Sequence, residues 1–187
     1  MNLIGTETIQ TPRLILRRVA LSDALSMYKN WASDKEVTKF LSWSPHKSPE
    51  ETTRIIASWI DNYNDSSFFL WAIALEENNE IIGTIGAVKE VKDKTPIEIG
   101  YCLGKSFWNK GFMSESLKYV IKYFFEKVNA STIIAKHDID NIPSGRIMEK
   151  NNMKFIKKVK EEHNKDGKIS KCLFCYHKIT KREWLKI

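Results

Sequence analysis

The chain has 187 residues, 42% apolar and 28% charged, which suits a single soluble domain spanning residues 1–187 with a substantial core. No run approaches the ~20 apolar residues of a membrane-spanning helix, and the first twelve residues show neither the basic nor the apolar region of a secretory signal. The net charge of +7 suits an anionic partner, and an odd count of three cysteines argues against a disulfide framework and for a reducing cytoplasm.

Arg13–Val19 reads as an opening strand after Thr11-Pro12. Ser22 and Asp23 can cap the helix that follows, with Ala24, Leu25, Tyr28 and Trp31 on or near its buried face. Residues 37–47 form an aromatic, Ser-rich connector. Ser48, Pro49 and Glu51 then start a second helix with a capping box, and Ile55, Ile56, Trp59, Ile60 and Tyr63 supply its apolar residues. Residues 68–76, 80–90 and 97–103 read as three strands joined by short turns, an antiparallel meander.

Residues 97–127 are the informative stretch. A strand, Ile97–Leu103, is followed by a connector with a glycine at each end, Gly104 and Gly111. A helix over 114–127 then carries Leu117, Val120, Ile121 and Phe124 on one stripe. This arrangement aims backbone N–H groups and a helix dipole at an anion, and a pyrophosphate is the expected occupant. Next come a strand (132–137), a short helix (143–151) and a final hairpin (155–160 and 171–179) around Lys165-Asp166-Gly167. A short tail (181–187) ends the chain. Asn152, just past the short helix, suits a left-handed cap. The lysines between Lys154 and Lys171 read as the solvated edge of that hairpin. No aromatics are interleaved with them, which argues against a nucleic-acid face there.

The run WNKGFMSES resembles the acyl-CoA loop of the GNAT N-acetyltransferases, in the branch of RimJ/RimL-like ribosomal-protein N-terminal acetyltransferases. Trp108, Lys110, Gly111, Phe112 and Glu115 match that branch's Trp-Gly-Lys-Gly-aromatic-Ala-x-Glu pattern, while Asn109 and Met113 replace its Gly and Ala. TPRLILR and VTKFLSWSPHKSPEE resemble its N-terminal stretches, and Asn141 to Ser144 its Asn-x-x-Ser helix entry. The order β, α, α, β, β, β, α, β, α, β, β is mixed α+β.

The resemblance implies a GNAT fold: a mostly antiparallel sheet of six to seven strands flanked by about four helices. Its central strands splay to form an acyl-CoA cleft. It further implies acetyl-CoA as cosubstrate and no metal. Tyr101, Cys102 and Leu103 would offer backbone N–H groups freed by a bulge. Trp108, Asn109, Lys110, Gly111, Phe112, Met113 and Ser114 would form the phosphate loop. Asn141 and Ser144 would meet the pantetheine and sulfur, and Met148, standing where many relatives have a tyrosine acid, would line the cofactor.

The implied reaction is direct attack by a primary amine, of a protein N-terminus or a small molecule, in a ternary complex. Glu98 is the first candidate for general base, because alternation places it with Gly100 and Cys102 on one face. Glu161, Glu162, His163 and His137 are further candidates, and a surface ion pair is the bland reading of Glu98. Ser144 could protonate the leaving thiolate. Trp31, Phe40, Trp43 and Trp59 belong to the implied acceptor wall. Cys172-x-x-Cys175 lacks the four ligands of a structural zinc site. The alternative function is a ribosome-associated or CoA-binding module without turnover. The resemblance leaves open a monomer or a homodimer.

Overall fold

A computed structural model describes all 187 residues. Eight strands form one sheet: β1 (Ile9–Gln10), β2 (Leu14–Arg17), β3 (Leu70–Leu75), β4 (Ile81–Ala87), β5 (Ile97–Leu103), β6 (Thr132–Asp138), β7 (Lys154–Lys165) and β8 (Lys168–Thr180). Their spatial order is β1-β2-β3-β4-β5-β6-β8-β7. Six α-helices accompany them: α1 (Ala24–Met27), α2 (Lys35–Thr38), α3 (Pro49–Asn62), α4 (Phe112–Glu126), α5 (Ile142–Lys150) and α6 (Lys181–Trp184). The strand beyond the expected seven is β1, too short to show a period. The helices beyond the expected four are α2, inside the connector, and α6, inside the tail.

Alternation along the strands splits the core between the two faces of the sheet. Leu14, Leu16, Trp71, Ile73, Ile97, Ile99 and Leu103 join α4 and α5 in a core of 26 buried residues. Ala72, Ala74 and Ile81 face the other way and join Met27, Trp31 and Ile56 in a core of 10. Each fully buried large side chain contributes on the order of 1.5–3 kcal/mol, so the larger core, under α4, anchors the fold.

Two helix starts differ from expectation. The first helix opens on a 3-10 turn, Leu21–Asp23. The Asp23 carboxylate accepts the Ala20 N–H at 2.8 Å and the Arg17 guanidinium at 2.8 Å, so Asp23 holds the turn from inside rather than capping α1. Leu25 points to solvent at 52% exposure. A π-helical turn, Tyr28–Ala32, follows α1. Its extra residue shifts the helical phase, and both Trp31 and Ala32 are buried. At α3, Ser48 Oγ accepts the Glu51 N–H as expected, but Glu51 accepts from Lys47 N at 2.7 Å, one residue earlier than a capping box requires.

Every neighbouring strand pair is antiparallel except β5 and β6. That parallel pairing covers only Ile97↔Ile133 and Glu98↔Ile134. Beyond it the two strands part, and the cleft opens between them.

Candidate active site

The β4–β5 ladder runs without a register shift from Ala87↔Ile99 to Gly83↔Leu103. The expected bulge at Tyr101–Leu103 is therefore absent, and the splay does its work. Val88 N donates to Glu98 O and Gly104 N donates to Ile82 O, each at 2.8 Å. By alternation the even-numbered residues of β5 bond to β4. Tyr101 and Leu103 thus turn their N–H groups towards β6, where no strand partner stands opposite. Leu103 O accepts from Trp108 Nε1 at 2.7 Å, which fixes the start of the loop.

The loop turns twice through the left-handed region, at Asn109 (φ 60°) and Gly111 (φ 83°). Asn is among the few side-chain-bearing residues that tolerate this, which accounts for Asn109 where the resembled motif has glycine. Gly111 caps α4, so the free N–H groups of its first turn face the loop's concave side. Lys110, Phe112 and Ser114 border that turn, while the Met113 side chain is buried in the core and lends only its backbone.

Sequence reasoning missed the partner of this loop, Arg13. Its Nε donates to Glu115 Oε2 at 2.8 Å, its Nη1 to Lys110 O at 3.0 Å, and its guanidinium lies 4.6 Å from the Phe112 ring centroid. Glu115 also accepts from Thr11 Oγ1 at 2.7 Å and from Arg13 N at 3.1 Å. Burial alone would raise the Glu115 pKa, but the hydrogen bonds from Thr11 and Arg13 outweigh it and hold the carboxyl below its usual range. The only sequence signal was that TPRLILR and Glu115 both belong to recognisable motifs.

Across the cleft, Asn141 stands at the start of α5 with no capping bond from its side chain, which lines the cavity. Ser144 Oγ lies 3.1 Å from the Tyr101 hydroxyl, and that hydroxyl donates to Ser144 O at 3.0 Å. Burial pushes the Tyr101 phenol up, so it stays protonated. Met148 shares the Gly145 face of α5 and is 1% exposed in the core. Its side chain packs in the larger core and not on the cavity lining, where a cofactor-lining residue was expected.

Between the parting ends of β5 and β6 a cavity of about 350 Å³ is lined by Glu98, Phe40, Lys136, Asn141, Ser144 and Glu162, among others. The Glu98 carboxylate is half-buried and makes no hydrogen bond or ion pair. Glu161 is committed elsewhere. Lys136 Nζ donates to it at 2.6 Å and Tyr176 donates a short bond, which together hold its pKa low. His137 Nδ1 sits 2.8 Å from Asp138 O, and its Nε2 packs against Gly145 so closely that a Cβ there would lie 2.7 Å away. His163 lines the cavity with Nε2 3.3 Å from Leu41 O. Of the four aromatics expected in the acceptor wall, Phe40 lines the cavity, Trp31 is fully buried, and Trp43 and Trp59 pack on the smaller core. Cys102 sits beside Thr84, 3.3 Å away, and burial raises its thiol pKa.

Residues 13–154 match the model of the acetyltransferase (GNAT) domain. The chain belongs to the GNAT acetyltransferase family. A curated relative, the uncharacterized N-acetyltransferase p20 of Bacillus licheniformis, is 34% identical over 81% of this chain and 83% of its own length. A GNAT acetyltransferase from Bacillus anthracis superposes with a TM-score of 0.80 at 24% identity, covering 95% of this chain and all of its own. RimL, a ribosomal L7/L12 alpha-N-protein acetyltransferase solved with coenzyme A, gives 0.80 at 21% identity over 93% and 98% of the two chains. At such identities the two structures share the fold. This GNAT acetyltransferase therefore uses acetyl-CoA as its cosubstrate, and its cleft fits that role. It offers unpaired strand N–H groups, a helix N-terminus behind a left-handed glycine, and no free carboxylate on the phosphate side.

Proposed function

We propose that this GNAT acetyltransferase moves an acetyl group from acetyl-CoA to a primary amine by direct attack, with Glu98 as the general base. Acetyl-CoA supplies the activated thioester. The Tyr101 and Leu103 N–H groups stabilise charge developing on the carbonyl oxygen. Ser144, held by Tyr101, donates a proton to the departing sulfur. A covalent acyl-enzyme is disfavoured because the half-buried Cys102 thiol is hydrogen-bonded to Thr84 and its pKa is raised.

The observation that carries this reading is Glu98. It is the one cleft carboxylate on a central strand that makes no hydrogen bond or close ion pair, although Lys136 in the same cavity feels its charge. A carboxylate spent on structure is paired, as Glu161 and Glu115 are. The acceptor class is proposed from the RimL likeness: a peptide N-terminus comes first, with small amines behind it. We place the protein in the cytoplasm, which its three unpaired cysteines support.

The test is release of free CoA thiol on mixing acetyl-CoA with N-terminal peptides, polyamines, aminoglycosides and amino acids. At least one class is expected to release thiol in proportion to acetylated product. Tight CoA binding without release from any amine would instead support a regulatory module.

A further inference from the structure

We propose that Arg13 is the positioning residue of the phosphate loop, locking the Lys110–Gly111 peptide so that its N–H faces the cofactor's pyrophosphate. The proposal deepens the reading above and rests on it. A peptide unit is planar, and in the trans form its C=O and N–H point in opposite directions; no cis bond occurs in the chain. Arg13 Nη1 holds Lys110 O at 3.0 Å. The Gly111 N–H is thereby turned away from Arg13, and it donates to no backbone carbonyl or side chain. It is a donor kept free and aimed.

The lock is needed because of the glycine. Gly111 has φ 83° and caps α4. With no Cβ, glycine accepts either sign of φ, so the 110–111 unit can turn over at little cost. Turned over, it would present the Lys110 carbonyl to a phosphate, where an amide donor is required. The guanidinium prevents this with a planar fork: two nitrogens on Glu115 and a third on Lys110 O. Glu115 is anchored in turn by Thr11 Oγ1 and by the Arg13 backbone N–H. The pairing also neutralises Arg13, so its contribution to binding a polyanion is geometric. In this way the opening Thr-Pro-Arg segment and the loop's glutamate, about a hundred residues apart, act as one device.

The test compares Arg13→Met and Arg13→Lys with wild type, using acetyl-CoA and acetyl-pantetheine as donors. Acetyl-pantetheine lacks the pyrophosphate and never meets the loop. The ratio of kcat/KM for acetyl-CoA over acetyl-pantetheine should fall by about tenfold or more in both variants, equivalent to on the order of 1.4 kcal/mol. The loss should fall on KM for acetyl-CoA more than on kcat. Lysine should not rescue, since one ammonium cannot span both the carboxylate and the carbonyl. A ratio preserved in Arg13→Lys would show that Arg13 acts as a plain cation and would overturn the proposal. An equal loss with both donors would mark a general fold effect and would overturn it too. Should Arg13→Met fail to fold, Arg13→Lys carries the test alone. Wild type that fails to bind CoA at all would sink the proposed function itself, and that outcome is read before any variant.

Discussion

Tyr101 and Ser144 show how a single hydroxyl contact can link strand chemistry to helix position. The Tyr101 hydroxyl has one proton, and the Ser144 carbonyl can only accept. Tyr101 therefore donates to that carbonyl, and its own oxygen is left to accept from Ser144 Oγ or to release that hydroxyl towards the cleft. Tyr101→Phe should cost about 1 kcal/mol of stability, the net worth of a typical internal hydrogen bond. It should lower kcat roughly tenfold through Ser144, less than the 10²–10⁴ of removing a general acid outright, because Ser144 itself remains. Denaturant melts and steady-state kinetics on the same sample separate the two effects. At this scale the sequence was partly legible. Glu98 could be placed by strand alternation, because period two survives any tertiary context. Arg13 could not, because its contact with Glu115 spans 102 positions and nothing local announces it. Met148 was misplaced because an apolar residue on a short helix reads the same whether it faces a core or a ligand.

At the scale of elements, α5 is the piece most exposed to perturbation. It carries Asn141 and Ser144 at one end and rests on β6 through Gly145. A Cβ at Gly145 would lie 2.7 Å from Nε2 and 2.9 Å from Cε1 of His137, a stiff ring that cannot fold away. Gly145→Ala should destabilise by about 1–3 kcal/mol, the usual cost of overpacking, and a calorimetric scan would show it as a lowered Tm. Beside that ring lies His177, 2% exposed, with its ring centroid 5.4 Å from that of His137. Burial, and then the neighbouring His137, lower its pKa below the ordinary histidine value; burial does the same for His46. The unfolded chain therefore binds more protons than the folded one near and below the unfolded value of about 6.5. Stability from these two groups is complete above that pH and falls as pH drops towards their lower folded values. Melting temperature should decline between about pH 7 and pH 5, and His177→Gln should flatten that decline even if its Tm at pH 7.5 is lower. A profile equally steep in the variant would remove His177 from the acid response.

At the scale of the molecule, the order of elements and the glycine-bounded turn before α4 were legible because each rests on local signals. These are hydrophobic period, Pro and Ser at helix starts, and glycine where φ is positive. The Lys165–Lys168 turn follows the same logic, with Asp166 at φ 50° and Gly167 at φ 83° matching a hairpin's twist. What stayed hidden is set by long-range packing. The splay itself needed the structure: β5 and β6 pair at two positions and then part, which frees the N–H groups that a bulge was expected to release. So did the cover over the acceptor side. There the hairpin tip reaches the connector through Lys165 Nζ to Thr38 O at 2.6 Å and Ser44 N to Asp166 Oδ2 at 2.9 Å.

The measurement that bears most directly on the central claim is kcat of Glu98→Gln with an accepting amine at pH 7, alongside its affinity for acetyl-CoA. In the proposed reading the backbone of 108–114 holds the cosubstrate, so affinity should stay within about threefold while kcat falls on the order of 10²–10⁴, the loss of a general base. Wild-type kcat/KM should rise with pH, and the variant's residual rate should rise more steeply as hydroxide replaces the carboxylate. A Glu98→Gln enzyme with near-normal kcat at pH 7 would contradict the account and pass the role of base to Glu162 or to solvent.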